Sequence, residues 1–125
     1  MTPQLHIHPP IALQYSIYML YYIDMSTQRL AKIEREIEGI KNQIAEIGIV
    51  RPGSLTRQYK DPKNKKGAYY QISYTHRMQS KTQYVRSGSL AQVRREIRDY
   101  NKLKRLIERW VALGIEYSAL SMKRR

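Results

Sequence analysis

Arg94, Arg98, Lys102, Arg105 and Arg109 recur at intervals of 4, 4, 3 and 4 residues. On an α-helix these five cations fall within a sector of about 80° and make a stripe about 22 Å long. The nearby acids Glu96, Asp99 and Glu108 stand off the stripe instead of pairing within it. Like charges at i,i+4 cost helix stability. A row of them kept clear of acids is therefore suited to an external anion, and its chemistry is neutralisation of phosphates with release of counterions. The competing reading is a solvated helix face with no ligand.

A second set of cations precedes this row. Residues 51–67 read RPGSLTRQYKDPKNKKG, with Arg51, Arg57, Lys60, Lys63, Lys65 and Lys66 set among turn formers. The segment reads as a basic loop able to clamp phosphates. Residues 68–86 are rich in Tyr, Ile, Thr and Val with no internal Gly or Pro. They predict a hairpin of strands near 68–75 and 81–86 around a turn at 76–80. Alternation puts Tyr70, Ile72 and Tyr74 on the packed face, and Tyr69, Gln71, Ser73 and Thr75 on the outer face. Arg77, Lys81 and Arg86 add charge to the hairpin, with Lys81 or Arg86 expected on the outer face. A two-stranded ribbon fits the major groove of DNA, and exposed Tyr can stack on unpaired bases.

Other chemistries find no residues to perform them. The chain has no Cys, which excludes disulfides, thiol chemistry and Cys-ligated metal. His6 and His8 lie in a Pro-flanked segment without carboxylates, and His76 falls in a turn. No catalytic residue, metal site or cofactor is therefore assigned. There is no phosphate-cradling or dinucleotide-binding glycine motif. The sequence reads as that of a protein that is not an enzyme.

Two helices must position these groups. The first is expected from an N-cap at Ser26 to about Ile47. Its apolar positions Leu30, Ile33, Ile37, Ile40, Ile44 and Ile47 repeat at 3, 4, 3, 4 and 3, a narrow a/d stripe suited to one partner helix. That partner is either the second helix or another copy of the chain, which makes a homo-oligomer the alternative. The second helix is expected from a capping box at Ser89 and Gln92 to about Ser121, with a break in its heptads near Lys104. It is expected to meet the first helix along its first half.

The 125 residues suit one domain and carry 23 Lys+Arg against 10 Asp+Glu, a net charge of +13. The excess lies beyond residue 50, with nine bases and one acid in residues 51–89 and ten bases and four acids in 90–125. A mean hydropathy of −0.64 argues against an integral membrane protein, so no membrane partner is expected. Residues 1–24 contain no Lys or Arg and include a Tyr-rich apolar run from Ile11 to Ile23, too short to span a bilayer. They read as an extension ahead of a single basic domain at 25–125. Two origins are open: a start that truly lies at Met25, or a short strand or helix covering a core face. The intact mass of the natively expressed protein separates them.

The run Arg51-Pro52-Gly53-Ser54-Leu55, then Gln58-Tyr59, Gly67, Tyr69 to Thr75, Val93 to Ile97 and Tyr100 makes a pattern. It resembles a family of small prokaryotic proteins that share R-P-G-S-L, Q-Y and G-x-Y-Y-Q-[IL]-S-Y-T. That family is a domain of unknown function loosely associated with mobile elements. The likeness covers roughly residues 40–118. Many members carry a Cys cluster after Q-Y, where this chain has Lys60 to Lys66 without Cys, so a metal knuckle does not carry over. The Gly-x-Tyr-Tyr hairpin also resembles the small DNA-binding sheet of phage-type integrase arm domains.

The expected fold is α+β: a helix, a basic loop, a β-hairpin and a long C-terminal helix, with the helices antiparallel. The expected function is nucleic-acid binding without catalysis, DNA favoured over RNA, in an accessory or regulatory factor of a mobile element. That role implies a cytoplasmic, nucleoid-associated protein. The alternative is an interaction protein that oligomerises, or binds an acidic protein, through its heptad helices.

Overall fold

The computed structural model describes the backbone of residues 11–123 and the side chains of residues 16–123. His6, His8 and the rest of residues 1–10 lie outside that range. The order is α1 (Ile11–Ala45), β1 (Ser54–Asp61), β2 (Lys66–His76), β3 (Gln79–Val85), a 3-10 turn (Ser87–Ser89) and α2 (Leu90–Lys123). The fold is α+β with antiparallel helices, as expected. The chain divides into two compact units, Met1–Gly39 with Trp110–Arg125, and Ile40–Arg109.

The first unit is a helix pair. Among the described residues, Leu30, Ile33 and Leu113 are its buried apolar side chains. Arg29 donates from Nε and Nη2 to the two carboxylate oxygens of Glu116 at 2.8 and 2.7 Å. Those bonds, and then the charge of Glu116, hold the Arg29 guanidinium above its ordinary pKa. Tyr117 donates its hydroxyl to Glu34 at 2.8 Å.

Helix α1 corrects the expected N-cap at Ser26, which is a buried mid-helix residue. Two i,i+4 bonds carry the helix through the expected boundary. Thr27 Oγ1 donates to the Ile23 carbonyl at 2.9 Å, and Gln28 Nε2 donates to Asp24 at 3.1 Å. Of the segment ahead of Ser26, the described residues Ile17 to Ile23 and Met25 are all exposed.

The second unit holds a three-stranded antiparallel sheet in the order β1-β2-β3. The expected basic loop thus contains a strand, β1, pairing Leu55 with Ile72 and Arg57 with Tyr70. Its physical reason is the alternation of Leu55, Arg57 and Tyr59 against β2. The turn is also shorter than expected. Arg77 and Met78 alone connect β2 to β3, both at positive φ (52° and 63°), as a two-residue hairpin turn demands. This fixes Tyr74 opposite Lys81 and Gln71 opposite Tyr84. Lys81 therefore shares the face of Tyr74, not the outer face, and Arg86 lies beyond the strand.

The core of this unit is Ile72, Val85 and Val93, with Leu55, Tyr70, Leu90 and Ile97 packed around it. The first turns of α2 thus pack on the sheet, and Glu116 and Tyr117 near its far end hydrogen-bond to α1. The capping box does not form: Gln92 gives its amide to Glu96, and the Ser89 N–H goes to the Arg86 carbonyl. Gly53, at φ 146°, crosses the sheet where any Cβ would stand 2.7 Å from the Ile72 side chain. Ile72 is fully buried whereas Val111 is 56 % exposed. Ile72→Ala should therefore cost about 3 kcal/mol and Val111→Ala less than about 0.5 kcal/mol, read by urea unfolding.

Candidate nucleic-acid interface

Burying Val93 and Ile97 against the sheet turns the neighbouring cations of α2 to the rim of that contact. Arg94, Arg98 and Arg105 line one groove of about 390 Å³ with Leu55 of β1, Ile97 and Asn101. Arg94 is held there by the Tyr70 ring, whose centre lies 5.4 Å from its Cζ. Arg98 is exposed, with Asp99 at 3.9 Å from its Nε. Lys102 is half-buried and Arg109 exposed, both outside the groove lining.

The remaining cations spread around the sheet. Arg57 sits on β1 with its Cζ 5.4 Å from the Tyr59 ring centre. Lys60 points to the outer face, opposite Gly67, whose positive φ and missing side chain admit its stem. Lys63 and Lys65 lie in the turn between β1 and β2, and Lys66 opens β2. Asp61 ties that turn by accepting from the Asn64 N–H and side-chain amide at 3.3 and 2.9 Å. The expected flexible clamp is therefore a closed hairpin end. Arg77 occupies the other hairpin turn.

Three residues stand beside these that the sequence did not assign to the site. Arg51 lies with its Cζ 5.0 Å from the Tyr74 ring centre, donates its backbone N–H to the Glu96 carbonyl, and has a buried Nε with no hydrogen-bond partner. Lys104 lies 5.6 Å from the Tyr100 ring centre and lines a second groove of about 480 Å³ with Tyr74, Lys81 and Asn101. Its place at the heptad break was the available signal. Tyr84 stands 64 % exposed on the outer face of the sheet beside Tyr69. It needed the hairpin register to be found.

The arrangement can hold an extended anion along α2 and present hydrogen-bonding groups from the sheet. No group of three or more His, Asp or Glu that could hold a metal lies among the described residues. No described helix is long and apolar enough to cross a membrane.

No family model, curated protein or solved structure matches the chain.

The Arg98 and Arg105 side chains face solvent, so reversing them tests the groove without dismantling the fold. Arg98→Glu with Arg105→Glu should change unfolding free energy by no more than about 1 kcal/mol, measured by urea unfolding. A larger loss would make these residues part of the packing.

Proposed function

We propose that this protein binds nucleic acid, DNA in preference to RNA, and performs no catalysis. The observation that supports the reading is the convergence of Arg94, Arg98 and Arg105 on one groove beside the sheet. Lys102 and Arg109 continue the row along α2. Guanidinium groups at successive turns match the repeating charge of a phosphate backbone, and forked donors suit its oxygens. The cations at 57–66 extend the positive surface, and the net charge of +13 favours a polyanion at long range. The resemblance to a family loosely associated with mobile elements supports an accessory or regulatory role in such an element, in a cytoplasmic, nucleoid-associated setting.

A second reading has its own observation. Ile17, Tyr18, Leu20, Tyr21 and Tyr22 are exposed on α1. An apolar helix surface of that kind favours an interaction protein that oligomerises or takes a protein partner. Leu30, Ile33 and Ile40 of the expected seam are already buried within the chain, while Ile37, Ile44 and Ile47 are half-buried. A stable oligomer without nucleic-acid affinity would favour this reading.

Fluorescence-anisotropy titrations on duplex DNA at several salt concentrations test the first. Six phosphate contacts give a log–log salt slope of about −5. Arg98→Glu with Arg105→Glu should weaken binding about tenfold or more at low salt and bring the slope to about −3.5. An unchanged affinity and slope would remove the α2 row from the site.

A further inference from the structure

The face of the sheet turned away from α2 differs from the rest of this basic chain. Register and alternation place Thr56, Gln58, Gln71, Ser73, Thr82 and Tyr84 on it, with Tyr69 and a lone cation, Lys60, at the β1–β2 end. Two hydroxyl pairs span β2 and β3, Ser73 with Thr82 at 3.2 Å and Thr75 with Ser80 at 2.8 Å. Tyr69 and Tyr84 lie on neighbouring strands with ring centres 6.3 Å apart and planes inclined by 44°. The larger part of Tyr84 is in water.

We infer that this open sheet face is a platform for the unpaired bases of single-stranded nucleic acid. The inference rests on the nucleic-acid reading above and names the form of the polymer. Three physical points select it. First, an exposed aromatic ring gains most from a partner with a free π face. Bases within a duplex are stacked on both faces and offer only their edges, whereas unpaired bases offer the whole ring. Secondly, the commonest edge contact in a duplex groove is an Arg or Lys forked onto guanine. The middle of this face carries neither. Its Ser, Thr and Gln side chains supply uncharged donors and acceptors, which suit the exposed edges of unstacked bases. Thirdly, Arg57 and Lys81 belong to the opposite face, and the cations bordering this one lie at the ends of the strands, Lys60, Lys63, Lys65 and Lys66 at one and Arg77 at the other. Bases laid on the centre leave the backbone phosphates at that charged margin.

The test is an anisotropy comparison of a labelled single-stranded DNA, the duplex formed with its complement, and a single-stranded RNA of the same sequence. The expected result is at least tenfold tighter binding to a single strand, DNA or RNA, than to the duplex. Tyr69→Ala with Tyr84→Ala should lower single-strand affinity about tenfold or more while leaving the duplex within about twofold. Tyr69→Phe with Tyr84→Phe keeps the rings and should keep the affinity. Should the double alanine variant not fold, Tyr84→Ala alone carries the test from an exposed position. Equal affinity for single strand and duplex, or single-strand binding indifferent to the alanine changes, overturns the platform. If it fails this way while Arg98→Glu with Arg105→Glu still weakens binding, the nucleic-acid reading stands without it. If the unaltered protein binds none of the three polymers, the nucleic-acid reading itself fails.

Discussion

The contact of Ile72 and Val85 with Val93 is the constraint on which the second unit depends. A two-stranded hairpin is marginal in water, and a small sheet gains stability from a third strand with an apolar face or from packing on a helix. Here that face is small. Three buried residues and a fringe of half-buried ones fasten the strands to α2. The position of the cations follows from it, because successive residues on a helix point about 100° apart. Once Val93 faces the sheet, Arg94 must face the rim of the contact. Arg98 and Arg105 follow one and three turns on. The same contact leaves the opposite sheet face without a covering element in the unit.

Tyrosine explains how so much positive charge is accommodated. The chain has 11 Tyr and no Phe. Among the described residues, cations lie within stacking reach of a Tyr ring at Arg51 with Tyr74, Arg57 with Tyr59, Arg94 with Tyr70 and Lys104 with Tyr100. Each such contact is worth about 0.5–1 kcal/mol at an exposed site. The rings do more than offset repulsion. They restrict the cationic side chains, and on the proposed function this would lower the entropy lost when a guanidinium meets a phosphate. Tyr suits the role because its ring can be half-buried while its hydroxyl stays in water. The paired charges of the first unit serve differently: Arg29 and Glu116 join two helices and leave little for a ligand.

Much of this was legible in the residues. The apolar period of both helices, the alternation of Tyr70, Ile72 and Tyr74, and the stripe on α2 each follow from a repeat that one element imposes on its own sequence. What escaped depends on partners distant in the chain. Strand β1 carries Arg57, Lys60 and Asp61 between turn formers, so its composition resembles a loop. Charged side chains are also what an edge strand uses to discourage unwanted pairing. The hairpin register turned on whether Arg77 and Met78 could both take left-handed backbone, which their types disfavour. One consequence was the misplacement of Lys81, and another was that Tyr84 went unnoticed. Ser26 looks like a cap because caps and small buried helix residues share a residue type. Only the bonds of Thr27 and Gln28 to the preceding turn show the helix passing through.

On the proposed function, one body, the sheet with its half of α2, presents the nucleic-acid surface. An amide chemical-shift titration of the uniformly labelled protein with a short oligonucleotide tests it most directly. Shifts are expected to concentrate at residues 94–109 and on the strands between residues 54 and 85, with the helix pair around Arg29 and Glu116 nearly silent. Shifts confined to residues 16–39 and 110–123, or none at all under conditions where the oligonucleotide binds, would contradict it.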